Sequence, residues 1–95
     1  GYSFVEENAG LVQSMPIDGV IPSFDNIADG KYKLSRLLFI YVKNAHFDKI
    51  PGLREFVREV TLEGAMGPDG YMPRQGLIPL PEAEREKLRE KIKNL

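Results

Sequence analysis

The chain has 95 residues, with 13 Lys and Arg against 14 Asp and Glu and a formal charge of −1, so it holds one domain at most and shows no basic footprint for nucleic acid. It has no cysteine, which excludes disulfides, thiolate chemistry and Cys-based metal sites. No apolar run approaches the length that spans a bilayer, and the first residues lack the basic and apolar regions of a signal peptide.

Gly1 to Asn8 opens on large apolar residues without a clear capping residue, as an element entered in mid-course does, and this predicts that the chain continues a longer polypeptide. Tyr2, Val5 and Ala9 recur at helical spacing, with Glu6 and Glu7 facing out, which predicts a short helix ending at Gly10. Residues 11–15 read as a short strand stopped by Pro16, and Ile17-Asp18-Gly19-Val20 as a turn. Ser23 is placed to cap a helix of about two turns, with Phe24, Ile27 and Ala28 inward and Gly30 at its end.

Residues 34–42 form the segment around which the expected fold is organised. Seven of these nine residues are apolar or aromatic, many of them β-branched or aromatic, and Lys33 and Lys43 flank them. Such a run predicts a strand covered on both faces. Leu53, Phe56, Val57 and Val60 then follow at i, i+3, i+4 and i+7, opposite Arg54, Glu55, Arg58 and Glu59, and predict an amphipathic helix ending near Gly64 with its stripe against that strand. Packed in this way, Phe56 truncated to Ala costs about 3–5 kcal/mol. Residues 65–81 are dense in Gly and Pro and predict an ordered loop. Pro81 starts a last helix with acids early (Glu82, Glu84, Glu86), bases late (Lys87, Arg89, Lys91, Lys93) and a narrow apolar stripe of Leu88, Ile92 and Leu95 that docks weakly.

Chemistry-bearing residues are sparse. His46 and Asp48 form the sole His–carboxylate pair, and an enzyme reading, a small hydrolase, would use them as general base and orienting acid. Ser14, Ser23 and Ser35 have no Gly-x-Ser-x-Gly setting, so no triad supports it. Glu6-Glu7, the carboxylates of the last helix and Gly67-Pro68-Asp69-Gly70 match no cation-binding loop, and the glycines form no phosphate-cradling fingerprint. Arg36, beside an apolar run, must reach solvent, a carboxylate or an anion. The basic residues near the C-terminus are interleaved with acids and lack stacking aromatics, which argues against nucleic acid.

The order of these segments carries a resemblance. Gly-Tyr-Ser-Phe-Val-Glu-Glu-Asn at the start, residues 15–43, Pro51-Gly52-Leu53-Arg54-Glu55-Phe56-Val57, Gly67-Pro68-Asp69-Gly70-Tyr71 and Gly76-Leu77-Ile78-Pro79-Leu80-Pro81 together resemble the C-terminal third of phosphate-binding proteins serving ABC-type phosphate importers. Two positions depart from the family pattern, Leu37 where Pro is usual and Met66 where Trp is common. The resemblance implies an α/β fold: the C-terminal portion of a two-lobed periplasmic-binding-protein architecture (type II), with few strands and three to four helices. Residues 1–36 would make the inter-lobe passage and residues 37–95 a strand and the closing helices.

It further implies a periplasmic or extracytoplasmic receptor with no catalysis of its own, inorganic phosphate as its ligand and an ABC transporter permease as its partner. In such proteins the phosphate is held by hydroxyls, backbone amides, an Arg and an Asp from earlier parts of the chain. No catalytic, cofactor-binding, metal or ligand-binding residue is therefore expected within these 95 residues, and no cofactor. A fragment of this kind is expected to expose sheet edges and helix faces, and so to form homo-oligomers or exchange elements between copies. A stand-alone interaction module presenting the last helix is the other alternative to a receptor.

Overall fold

Helices account for all the regular secondary structure in the computed structural model, which describes residues 1–95: α1 (Tyr2–Glu7), α2 (Phe24–Ala28), α3 (Leu53–Thr61), α4 (Glu63–Met66), α5 (Tyr71–Arg74) and α6 (Glu82–Lys93), with a 3-10 turn at Asn44–His46. There is no sheet. The only β-type pairings are two isolated bridges, Ala9 with Val12 and Ile17 with Val20. The expected α/β architecture is thus corrected to an all-helical one.

The correction centres on residues 34–42. From Arg36 to Val42 no backbone N–H or C=O joins a backbone hydrogen bond. The side chains expected at the centre of the core lie open, Leu38 at 72% and Tyr41 at 90% exposure. The physical reason is non-local. A strand is stabilised by its ladder and by the layers on its faces, and residues 11–15, the other stretch expected to be a strand, supply only the single bridge at Val12 while Leu11 and Met15 stay exposed.

Local signals, by contrast, fix the helices. Ser23 adopts an extended backbone and its Oγ accepts a hydrogen bond from the Asn26 N–H at 3.2 Å, capping α2. Asp18 and Gly19 both take positive φ, 50° and 76°, and close a tight turn in which Ile17 and Val20 exchange two backbone hydrogen bonds at 2.9 and 3.0 Å. The chain enters α3 through Gly52 at φ 79° and leaves it at Leu62, whose extended backbone (ψ 151°) separates α3 from α4. The expected helix end near Gly64 therefore lies inside α4, and residues 71–74, expected as loop, form the single turn α5.

The core is small and confined to the C-terminal half. Val57, Ala65, Met66 and Ile92 are its buried apolar side chains, with Thr61 and Arg85 as buried polar ones, and no residue before Val57 is buried. α3 packs on α6 and on α4, and α4 on α5. Val57 and Thr61 are the buried residues of α3, whereas Phe56, expected against the strand, is 56% exposed. Gly67 is required by close approach: a Cβ there would collide with the backbone carbonyl and the carboxylate of Glu63. The narrow stripe of α6 buries Ile92 alone, and the buried Arg85 adds a charged attachment to Glu63 that the stripe did not announce.

The molecule measures 47 × 24 × 22 Å with a radius of gyration of 15.9 Å, against about 12 Å for a typical domain of this length. Its accessible surface of 7410 Å² exceeds the roughly 5500 Å² expected from its mass.

Candidate functional site

Three places gather polar or apolar groups in a way that bears on function. The first surrounds His46 and Asp48. His46 ends the 3-10 turn at Asn44–His46, but the two side chains are not joined. The Asp48 carboxylate instead accepts a hydrogen bond from Arg54 at 2.7 Å, and the Arg54 guanidinium lies 5.0 Å above the Phe47 ring. That arrangement ties the connection before α3 onto the helix. It leaves His46 without an orienting acid, so the geometry lends no support to the hydrolase reading.

The second place is a charge cluster between α4 and α6. Arg85, 6% exposed, donates Nε to Glu63 Oε2 at 3.2 Å, Nη2 to Glu63 Oε1 at 2.7 Å and Nη1 to the Leu80 carbonyl at 2.6 Å. Arg89, one turn on, donates to Glu63 Oε2 at 2.9 Å. The Nε and Nη2 donors fork onto the carboxylate, and Nη1 is taken by the backbone carbonyl. The hydrogen bond from Arg85, followed by the charges of Arg85 and Arg89, holds the Glu63 carboxyl below its ordinary value against the opposing effect of desolvation. Two clustered guanidiniums are what an anion site needs, yet both already donate to the Glu63 carboxylate, Arg85 through two hydrogen bonds and Arg89 through one. This is a structural clamp.

Sequence reading did not find this cluster. Glu63 and Arg85 are 22 residues apart, and the only local hint was an Arg at i and i+4 beside the Leu88–Ile92 stripe. A smaller charged contact sits nearby, where desolvation and the Glu59 carboxylate raise the pKa of Tyr71, whose hydroxyl lies 3.4 Å from Glu59 Oε1.

Arg36 is exposed and makes no ion pair, and Ser35 Oγ donates to the Tyr32 carbonyl at 2.7 Å. A shallow groove of about 240 Å³ runs where α1 and α2 meet residues 68–78, bordered by Tyr2, Glu6, Phe24, Arg74 and Leu77. Arg74 there is turned to the Asp69 carbonyl at 3.3 Å. No group of three His, Asp or Glu side chains is placed to hold a metal ion. No helix is long and apolar enough to cross a membrane.

The third place is the 34–42 run itself, an exposed apolar strip whose backbone from Arg36 to Val42 is unpaired. Monomeric domains rarely present so continuous an apolar patch without something to cover it. Phe39 and Tyr41, two residues apart, bring their ring centroids to 6.2 Å and therefore sit on the same side of the backbone. This strip is the strongest candidate for an interaction site.

Comparison with known proteins gives one informative likeness. No family model matches the chain, and no solved structure matches it significantly. The chain is 37% identical over 68 residues to the phosphate-binding protein PstS of Staphylococcus haemolyticus, a match taking in 66% of this chain. The chain spans about a fifth of that protein's length, 21%. The likeness marks a partial and distant relationship to a phosphate-binding protein.

Proposed function

We propose that this chain acts as part of an extracytoplasmic phosphate-binding receptor that delivers phosphate to an ABC importer, contributing structure to the receptor and no ligand contact or catalysis of its own. The observation that carries the reading is the 37% identity over 68 residues to the staphylococcal phosphate-binding protein. The geometry is compatible with it in two respects. The buried Arg85 is engaged by Glu63 and the Leu80 carbonyl, and Arg89 donates to the same carboxylate, so the pair serves to hold α6 to α4. The exposed 34–42 strip is apolar surface that the rest of a larger receptor would cover.

A chimera tests this reading. The 68 matching residues of the staphylococcal protein are replaced by their counterparts from this chain, and phosphate binding is measured by calorimetry on the chimera and on the 95-residue chain. The chimera is expected to bind phosphate and the isolated chain to show no tight binding. A chimera that folds, by circular dichroism and a cooperative melt, yet has lost phosphate binding would overturn the proposal. So would tight phosphate binding by the chain alone.

A further inference from the structure

We propose that the chain carries a hinged arm: residues 1–35 rest on the α3–α6 unit, are tethered to it by residues 36–42, and swing off it without unfolding it. The division follows from where the bonds lie. No hydrogen bond or ion pair joins residues 1–42 to residues 43–95. The bond nearest the boundary, from the His46 N–H to the Lys43 carbonyl at 2.9 Å, is wholly on the far side. Between the two parts the backbone from Arg36 to Val42 makes no internal hydrogen bond, so nothing fixes the shape of the tether.

Packing draws the same line. α3 packs on α6 and α4, α4 packs on α5, and every buried residue lies from Val57 onward. α1 and α2 have six and five residues and bury none of them. Helices shorter than about 12–15 residues are marginal in water unless a packed face supports them. The arm has ties of its own, the Ile17–Val20 turn, the Lys33–Asp18 ion pair at 2.9 Å and the Tyr32 hydroxyl donating to the Met15 carbonyl at 3.4 Å. The last two are exposed, and none of the three reaches the helical unit.

The arm rests on the rim of the shallow groove, where Tyr2, Glu6 and Phe24 border the same space as Pro73, Arg74 and Leu77. The approach is closest at Gly76, φ 92°, where a Cβ would collide with Ser3. Glu6 and Arg74 carry opposite charges there but form no ion pair, and the Arg74 guanidinium turns to the Asp69 carbonyl instead. Van der Waals contact is thus the arm's hold. Losing it clears the face around residues 73–78 and leaves the packing of α3 on α4 and α6 in place.

The proposal does not rest on the phosphate reading, because it concerns only how the two parts of the chain are joined. Amide hydrogen exchange on the unaltered chain, resolved by NMR, tests it. Amides of α3 and α6 are expected to be protected about a hundredfold or more, at a common level, and those of α1 and α2 no more than about tenfold. Tyr2→Ala and Phe24→Ala, which take away two walls of the groove, are expected to leave protection in α3 and α6 within about twofold. Ile92→Ala is expected to lower it by more than about tenfold. Equal protection across α1, α2, α3 and α6 overturns the proposal, because one cooperative unit then spans the chain. A groove variant that lowers α3 and α6 as far as Ile92→Ala does, or a chain with no protected amides in α3 and α6, overturns it too.

Discussion

Truncating Ile92 and truncating Phe56 separates the packing in the structure from the packing that periodicity suggests. Ile92 is 8% exposed and is the buried apolar residue of α6, which packs on α3. Ile92→Ala removes three carbon groups at about 0.8 kcal/mol each, and the void left behind brings the cost to about 2–3 kcal/mol. Phe56 remains more than half exposed, so it has less than half of a full burial gain to lose, about 1 kcal/mol. Urea unfolding followed by helical circular dichroism, at a concentration where each variant is a monomer, measures both. The expected order is Ile92→Ala well below Phe56→Ala in midpoint, with equal slopes. Had the α3 stripe packed on a strand at residues 34–42, Phe56→Ala would cost about 3–5 kcal/mol. A Phe56 cost equal to or above that of Ile92 would refute the α3–α6 arrangement.

The clamp at Glu63 gives two further expectations. Arg85→Ala removes a buried guanidinium with three hydrogen bonds and is expected to cost about 2–3 kcal/mol in urea unfolding, with Arg85→Lys in between because a point charge satisfies fewer of those acceptors. The Glu63 carboxyl titrates below the ordinary 4.5 when folded, so its contribution is fully present above that value and is lost as pH falls through the lowered folded value. The urea midpoint is therefore expected to hold down to about pH 5 and decline below 4.5, less steeply in Glu63→Gln.

What was legible in the sequence was whatever is decided within one or two turns of chain. The Ser23 cap, the Asp18-Gly19 turn, the apolar spacing behind α3 and the charge gradient of α6 each depend on near neighbours. The α5 turn was hidden by Pro73, yet proline is tolerated there because the first N–H groups of a helix have no intrahelical partner to lose. The strand at 34–42 failed for the opposite reason, since composition states a preference while only a partner provides the ladder. The Glu63–Arg85 contact was invisible because its members meet only after α4 and α6 have packed. The functional reading came from the order of whole segments. No individual side chain announced it, and the clustered Arg85 and Arg89 are both tied to Glu63.

The excess surface bears on the receptor reading. The chain exposes roughly 1900 Å² more than a domain of its mass. Its exposed large apolar side chains include Leu34 and residues 37–41 of the strip, and Leu11, Met15 and Ile21 before it, all in the half that contributes nothing to the core. No single small patch accounts for surface spread so widely, and covering it takes a larger body, which a receptor of about five times the matched length would provide.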